Sequence, residues 1–199
     1  MPPILRILAT LLALSPAAVL ADDADIVAAA RRQVGVTVHY DPAYRKLEFP
    51  GGDVPPERGV CTDVVVRALR GARAMDLQAL VNADLRAHWN AYPHPLKWRL
   101  SKPDSNIDHR RVPNLMTFFE RAGWSRPVSR RAADYLPGDV VAWDLGRGLL
   151  HIGIVGDVAS ENGARYVIHN IGVGAREEDI LFRYGIIGHF RPPPAVATR

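Results

Sequence analysis

Residues 137–155, P-G-D-V-V-A-W-D-L-G-R-G-L-L-H-I-G-I-V, mark the point where the texture of the chain changes. Val140 to Trp143 and Leu149 to Val155 are short runs rich in β-branched and aromatic residues, with turn formers at their ends, and read as strands. Arg165 to His169 and Ile186 to Phe190 follow with similar length and composition. Before Pro137 the pattern is helical. Asp25 to Gln33 carries helix formers with Gly35 as a stop, Cys61 to Arg70 reads as a helix ended by Gly71, and Leu77 to Asn90 as another. Asn114 to Ala122 reads as a fourth, closed by Gly123 where a left-handed cap is wanted. The Pro- and Gly-rich stretch from Tyr40 to Arg58 and the segment from Tyr92 to Pro113 are predicted to be irregular. Helices first and strands afterwards predict an α+β domain with an antiparallel sheet, because a parallel sheet needs the two to alternate.

The chain opens M-P-P-I-L-R-I-L-A-T-L-L-A-L-S-P-A-A-V-L-A. Arg6 precedes an apolar run from Ile7 to Leu14, shorter than the roughly 20 residues a membrane-spanning helix needs. Small residues ending in V-L-A follow, so residues 1–21 are expected to be a signal peptide cleaved after Ala21, with the protein periplasmic or otherwise exported. No later segment is apolar enough to be expected to span a membrane. Cleavage leaves 178 of 199 residues, one domain over 22–199 with chain enough for a sizeable core, and the P-P-P after Arg191 opens an expected frayed tail over 192–199. Without Arg6, 24 basic residues stand against 21 acidic, a balance of +3 spread along the chain. That distribution argues against a nucleic-acid partner, which would need a clustered basic stripe, and is compatible with an anionic envelope polymer.

The chain has one cysteine, Cys61, in G-V-C-T-D-V-V-V-R-A-L-R. An exported protein ordinarily uses cysteine in disulfides, and one residue cannot form an internal one. A buried apolar role, an intermolecular bridge and a reactive thiol remain. On a helix beginning near Cys61 the thiol shares a face with Val64, Val65, Ala68 and Leu69. It also lies in the first turn, where free backbone N–H groups favour negative charge, so a thiol pKa below the ordinary value is expected. An apolar structural cysteine gains nothing from that position, whereas a nucleophile does.

A nucleophilic thiol needs a base, normally histidine, and the base needs an orienting partner. Of seven histidines, His39, His88, His94 and His109 fall in or beside loop-like segments and read as solvated. His151 and His169 instead lie on consecutive predicted strands, for which a hairpin is the default connection. One register sets His151 directly opposite His169, with Cβ atoms about 5 Å apart, close enough for one ring to orient the other. The competing register, with Asn162-Gly163 as a two-residue turn, sends them to opposite faces. The first is preferred, and it predicts that both rings stand on the face that meets the Cys61 helix.

A cysteine at a helix start, then P-G-D-V-V-A-W, H-I-G-I-V-G and V-I-H-N, resembles the NlpC/P60 cysteine peptidases. The combination of Y-D-P-A-Y, P-G-G-D-V-P, G-V-C-T-D-V-V-V-R-A, N-I-D-H-R-R-V-P-N-L and P-G-D-V-V-A-W-D resembles the bacterial DUF1287 proteins, and covers nearly all of the expected mature chain. The resemblance implies a papain-like NlpC/P60-type α+β domain, with N-terminal helices and a C-terminal antiparallel sheet. By its motifs Cys61 would be the nucleophile, His151 the general base and His169 the third polar residue, with Asn170 as the fallback. The activity implied is cleavage of amide bonds in cell-wall peptides without a cofactor. The chain departs from the common D-C-S-G pattern, having V-C-T-D, and it interposes Leu77 to Trp124 between nucleophile and base.

The interposed region holds N-I-D-H-R-R, where Asp108, His109 and Arg110 could grip a carboxylate-bearing peptide or form local ion pairs in a solvated loop. Asp63, together with Tyr40, Asp41 and Tyr44 in the early loop, are further candidates for substrate binding or the cleft wall. Trp124 and Trp143 are expected to pack in the core. A metal site built from His109, His151, His169 and an aspartate is the rival chemistry, but the helical His or paired Cys spacings that mark zinc are missing, so no metal is expected. A non-catalytic cell-wall-binding module and a thiol acyl or peptidyl transferase stay open beside the hydrolase, and the sequence is silent on oligomeric state.

Overall fold

The structure, a computed structural model, describes residues 26–93, 98 and 100–194. The expected signal peptide, His94 and residues 195–199 of the expected tail lie outside the described residues. Helix α1 covers residues 26–31, and the two-residue strands β1 (His39–Tyr40) and β2 (Arg58–Gly59) pair in parallel. Helices α2 (Cys61–Arg73), α3 (Leu77–Ala87) and α4 (Val112–Arg121) follow, with short 3-10 turns at Trp89–Ala91 and Asp108–Arg110 between the last two. Five strands then form one sheet: β3 (Val140–Asp144), β4 (Leu150–Ala159), β5 (Arg165–Asn170), β6 (Ala175–Glu178) and β7 (Gly185–Phe190). Their order is β6-β5-β4-β3-β7 and every neighbouring pair is antiparallel. The fold is therefore α+β with a C-terminal antiparallel sheet. The chain pattern did not predict β6, whose A-R-E-E has no β-branched residue; its edge position beside β5 makes it a strand.

Helix α2 carries Val64, Val65 and Val66 in succession, a run whose stiff side chains disfavour helix by less than about 0.7 kcal/mol each. Burial outweighs that penalty, since all three are buried and each contributes about 1.5–3 kcal/mol. Gly71 does not end this helix. It lies inside α2 where the helix faces Ala29 of α1, and the stop comes at Ala74, whose φ of 52° is left-handed. Helix α4 begins earlier than expected because Pro113 occupies its first turn, where a missing N–H leaves no bond unmade.

The β4–β5 register differs from the expected one. The two-residue Asn162-Gly163 turn does not form either: Glu161-Asn162-Gly163 make a three-residue loop closed between Ser160 and Ala164, with Gly163 at φ +75° and Ala159 opposite Arg165. An irregularity between Val155 and Ala159 then shifts the ladder, so Gly153 rather than His151 stands opposite His169. The shift is by two residues, and the histidines keep a common face. Gly153 is required there, because a Cβ on it would come within 3.0 Å of the Cβ of His169 and 2.9 Å of Val167.

Both faces of the sheet are covered. Ile152, Ile154, Ile168 and Phe190 pack with Val65, Leu69, Leu115 and Phe119 of the helices. Val141, Trp143, Val155 and Val167 pack on the other side with Tyr135, Ile180 and Leu181. Trp143 and Trp124 are both buried, the latter stacked on Phe119 with ring centroids 4.7 Å apart. Among the described residues no helix is long and apolar enough to cross a membrane.

Candidate active site

Cys61 is the first residue of α2 and is buried. Its sulfur meets three backbone N–H groups, its own, that of Thr62 and that of Ile152 on β4. The third follows from the ladder. Val155 donates its N–H to Asp139 on the β3 side, so alternation turns the Ile152 N–H toward β5. The last paired residues of β4 and β5 are Gly153 and His169, which leaves the Ile152 N–H beyond the ladder and available to the thiol. The sulfur thus sits level with the sheet, one residue from His151.

Two expectations are corrected here. Burial pushes the Cys61 thiol up to about 12, with the Asp63 charge adding to it, and the three N–H groups pull the other way without winning. Native Cys61 is therefore expected to react slowly with iodoacetamide at about pH 6, and faster as the pH rises past the ordinary thiol range of about 8.5 or after unfolding. Fast labelling of the native protein at about pH 6 would contradict the burial seen in the structure. The second correction concerns the face: Ile152 and Ile168 are the residues packed with α2, so His151 and His169 stand on the reverse face, with Trp143 and Val167. What links α2 to this strand is the Ile152 N–H at the Cys61 sulfur, one residue along the chain from His151.

His151 Nε2 lies 3.0 Å from His169 Nδ1, and the rings meet edge to face with centroids 5.0 Å apart. Trp143, opposite on β3, stacks on the His151 ring at 5.7 Å and donates its own N–H to the Leu181 carbonyl, which fixes both rings in place. Burial, and then the neighbouring His169, pull the His151 pKa down to about 3. A neutral thiol and a neutral imidazole are the resting state. The fallback Asn170 is engaged elsewhere: its Nδ2 donates to the Gly59 carbonyl and its Oδ1 accepts from the Gly172 and Gly174 N–H groups. It ties β5 to the segment that enters α2. Glu178, which no sequence pattern pointed to, places Oε2 3.0 Å from His169 Nε2.

In front of Cys61 lies a cleft of about 260 Å³, lined by Tyr40, Trp98, Arg111, Val112 and Leu149 among others. Tyr40 is near enough to the thiol that, after burial, Cys61 is the next cause of its raised pKa. Leu149 is brought in by the β3–β4 turn, where Gly146, Arg147 and Gly148 all have positive φ. Tyr44 stands apart, tied by its hydroxyl to Asp104 and Asn106.

The remaining candidates form a buried frame, of which Arg110 also lines the cleft. Arg110 donates from Nε and Nη2 to the two carboxylate oxygens of Asp63, each at 2.9 Å, and also to the Asp41 and Ala43 carbonyls. Asp63 in turn accepts the Val60 N–H at 2.6 Å, closing the first turn of α2. This is why an aspartate follows the cysteine by two positions. Asp41 pairs with Arg45 and Arg58. Asp108 pairs with Arg111 at 3.0 Å and accepts the Asp104 N–H.

His109 is buried rather than solvated, with no partner for Nδ1 among the described residues and its pKa pulled down to about 4 by burial. Its folded pKa is below the unfolded value of 6.5, so its contribution to stability is present above pH 6.5 and lost as the pH falls toward 4. That share is on the order of 3 kcal/mol. Urea unfolding at about pH 7 and pH 4 is expected to show a smaller acid loss in His109→Asn than in wild type; equal losses would contradict it. Outside this region, His189 donates to buried Asp139, which Arg191 also grips, so the seventh histidine holds the end of β7. Among the described residues no group of three His, Cys, Asp or Glu side chains is placed to hold a metal ion.

A lone thiol at a helix start, meeting the backbone N–H of Ile152 on the strand that carries His151 of a buried histidine pair, defines the class: an α+β domain with a candidate Cys–His–His site. The chain belongs to the DUF1287 family, whose model, described as "Domain of unknown function (DUF1287)", matches residues 27–192. It is 56% identical over 162 residues to "Uncharacterized protein YijF" of Escherichia coli (strain K12), covering 81% of this chain and 78% of that protein. No solved structure matches the chain.

Proposed function

We propose that the chain is an exported thiol hydrolase of papain-like, NlpC/P60 type that cleaves amide bonds in cell-wall peptides. The observation that carries this reading is the contact of His151 Nε2 with His169 Nδ1 at 3.0 Å, beside a thiol ringed by backbone N–H groups. A structural cysteine needs neither a histidine relay next to it nor an open cleft in front of it. His169 occupies Nε2 of His151 and leaves Nδ1 as the nitrogen to exchange protons with the thiol.

When a peptide amide enters the cleft, the Cys61 sulfur attacks the carbonyl carbon while its proton passes to His151 Nδ1. The tetrahedral oxyanion is held by backbone N–H groups at the start of α2, which have no intrahelical acceptor and face the Cys61 sulfur before attack. His151 then gives the proton to the departing amine, leaving a thioester; it next takes a proton from the water that hydrolyses the thioester and returns it to the departing Cys61 sulfur. The raised thiol pKa fits a mechanism in which proton transfer accompanies attack, rather than one that begins from a preformed ion pair. Export and the cell-wall substrate rest on the N-terminal pattern and the family resemblance.

The test is mass spectrometry of purified muropeptides incubated with the mature protein and with Cys61→Ala. A new product from the first and none from the second is expected. No product from either, with muropeptide binding retained, would replace the hydrolase with a binding module; a product joined to a second muropeptide would indicate transfer.

A further inference from the structure

The histidine pair does not end at His169. On the edge strand β6, Glu178 lies opposite Val167 and diagonal to His169, on the face the two rings share. Its Oε2 stands 3.0 Å from His169 Nε2, too far off the N–H direction for a straight hydrogen bond, so among the described residues that buried nitrogen has the carboxylate as a charged neighbour but no hydrogen-bond partner. The neighbouring Glu177 points the other way and is engaged with Arg31, at 2.6 Å and 2.8 Å. Among the described residues Glu178 forms no such ion pair; His169 is the group it faces, and Arg176, opposite His169 on the same face of β6, also acts on that ring.

This arrangement has a consequence for proton positions. A neutral imidazole carries one proton, and which nitrogen holds it is set by the partner of the other. A carboxylate accepts and does not donate, so it selects the form of His169 with its proton on Nε2. His169 Nδ1 is then an acceptor, and the 3.0 Å contact requires His151 to donate from Nε2. The lone pair of His151 is left on Nδ1, the nitrogen that the proposed attack uses as base. We infer that Glu178 is a positioning residue that sets the tautomer of both histidines through His169. This rests on the reading of His151 as the base for Cys61, but the tautomers are measurable without turnover.

The experiment is long-range ¹H–¹⁵N NMR of the imidazole rings in wild type, Glu178→Ala and Glu178→Gln, with thermal unfolding as a fold check. Wild type is expected to show both His169 and His151 protonated on Nε2. In Glu178→Ala, His169 should become a mixture of tautomers, while Glu178→Gln, whose side-chain oxygen still accepts, should restore the wild-type pattern. If muropeptides are cleaved, kcat should fall by about 10-fold or more in Glu178→Ala with KM unchanged, since a wrong tautomer in a triad acts on kcat. A His169 proton on Nδ1 in wild type, or an unchanged tautomer in a folded Glu178→Ala, overturns the inference. Absence of cleavage with the expected tautomers would count against the hydrolase and leave the positioning role intact.

Discussion

Alanine in place of either Cys61 or His151 is expected to lower kcat on a cleavable muropeptide by about 10⁴-fold or more, as members of a catalytic group behave. The double variant should be little worse than either single one, because each needs the other to act. His169→Ala should fall between, at roughly 10-fold to 1000-fold, since it holds the His151 ring and does not touch substrate. The measurement is steady-state turnover on one purified muropeptide, with the fold of each variant checked by circular dichroism. Additive losses in the double variant would mean that the thiol and the imidazole work independently. A binding module would instead keep its affinity in Cys61→Ala, because a thiol is a weak hydrogen-bond partner.

The largest effect on stability is expected from Arg110→Ala. Its guanidinium and the Asp63 carboxylate are both buried, with side-chain exposures of 1% and 4%, and they meet through two parallel bonds. Removing one partner leaves the other charge buried and alone, which costs about 3–5 kcal/mol. In a domain of this size that corresponds to a fall in Tm of roughly 10 °C. Activity per folded molecule should fall as well, because Asp63 closes the turn that presents Cys61. Thermal unfolding checks the first part, and a loss below about 1 kcal/mol would show that the pair does not hold α2 in place.

Much of this arrangement was legible in the chain, for identifiable reasons. The α+β division followed from texture alone, and the shared face of His151 and His169 followed from the two-residue period of a strand, which survives a register error of two. The register itself was not legible, because it depends on a three-residue loop at Glu161-Asn162-Gly163 and on the irregularity between Val155 and Ala159, and the Asn162-Gly163 signal specifies neither. The thiol pKa was misjudged because first-turn position is visible in sequence and desolvation is not. His109 and Arg110 read as a loop cluster open to substrate; both are buried between α2, α3 and α4, which N-I-D-H-R-R does not reveal, and of the two only Arg110 lines the cleft. Glu178 was invisible for a simpler reason. A-R-E-E has no strand signature, so nothing placed that carboxylate beside His169.

The most direct measurement of the central claim is intact-protein mass spectrometry after rapid acid quench of the protein over residues 22–199 with a purified muropeptide. The proposed mechanism requires a transient adduct with the mass of the acyl fragment, mapped to Cys61 by peptide fragmentation and lost on hydroxylamine treatment as a thioester would be. Release of product with no adduct at any quench time, together with full turnover by Cys61→Ala, would contradict it.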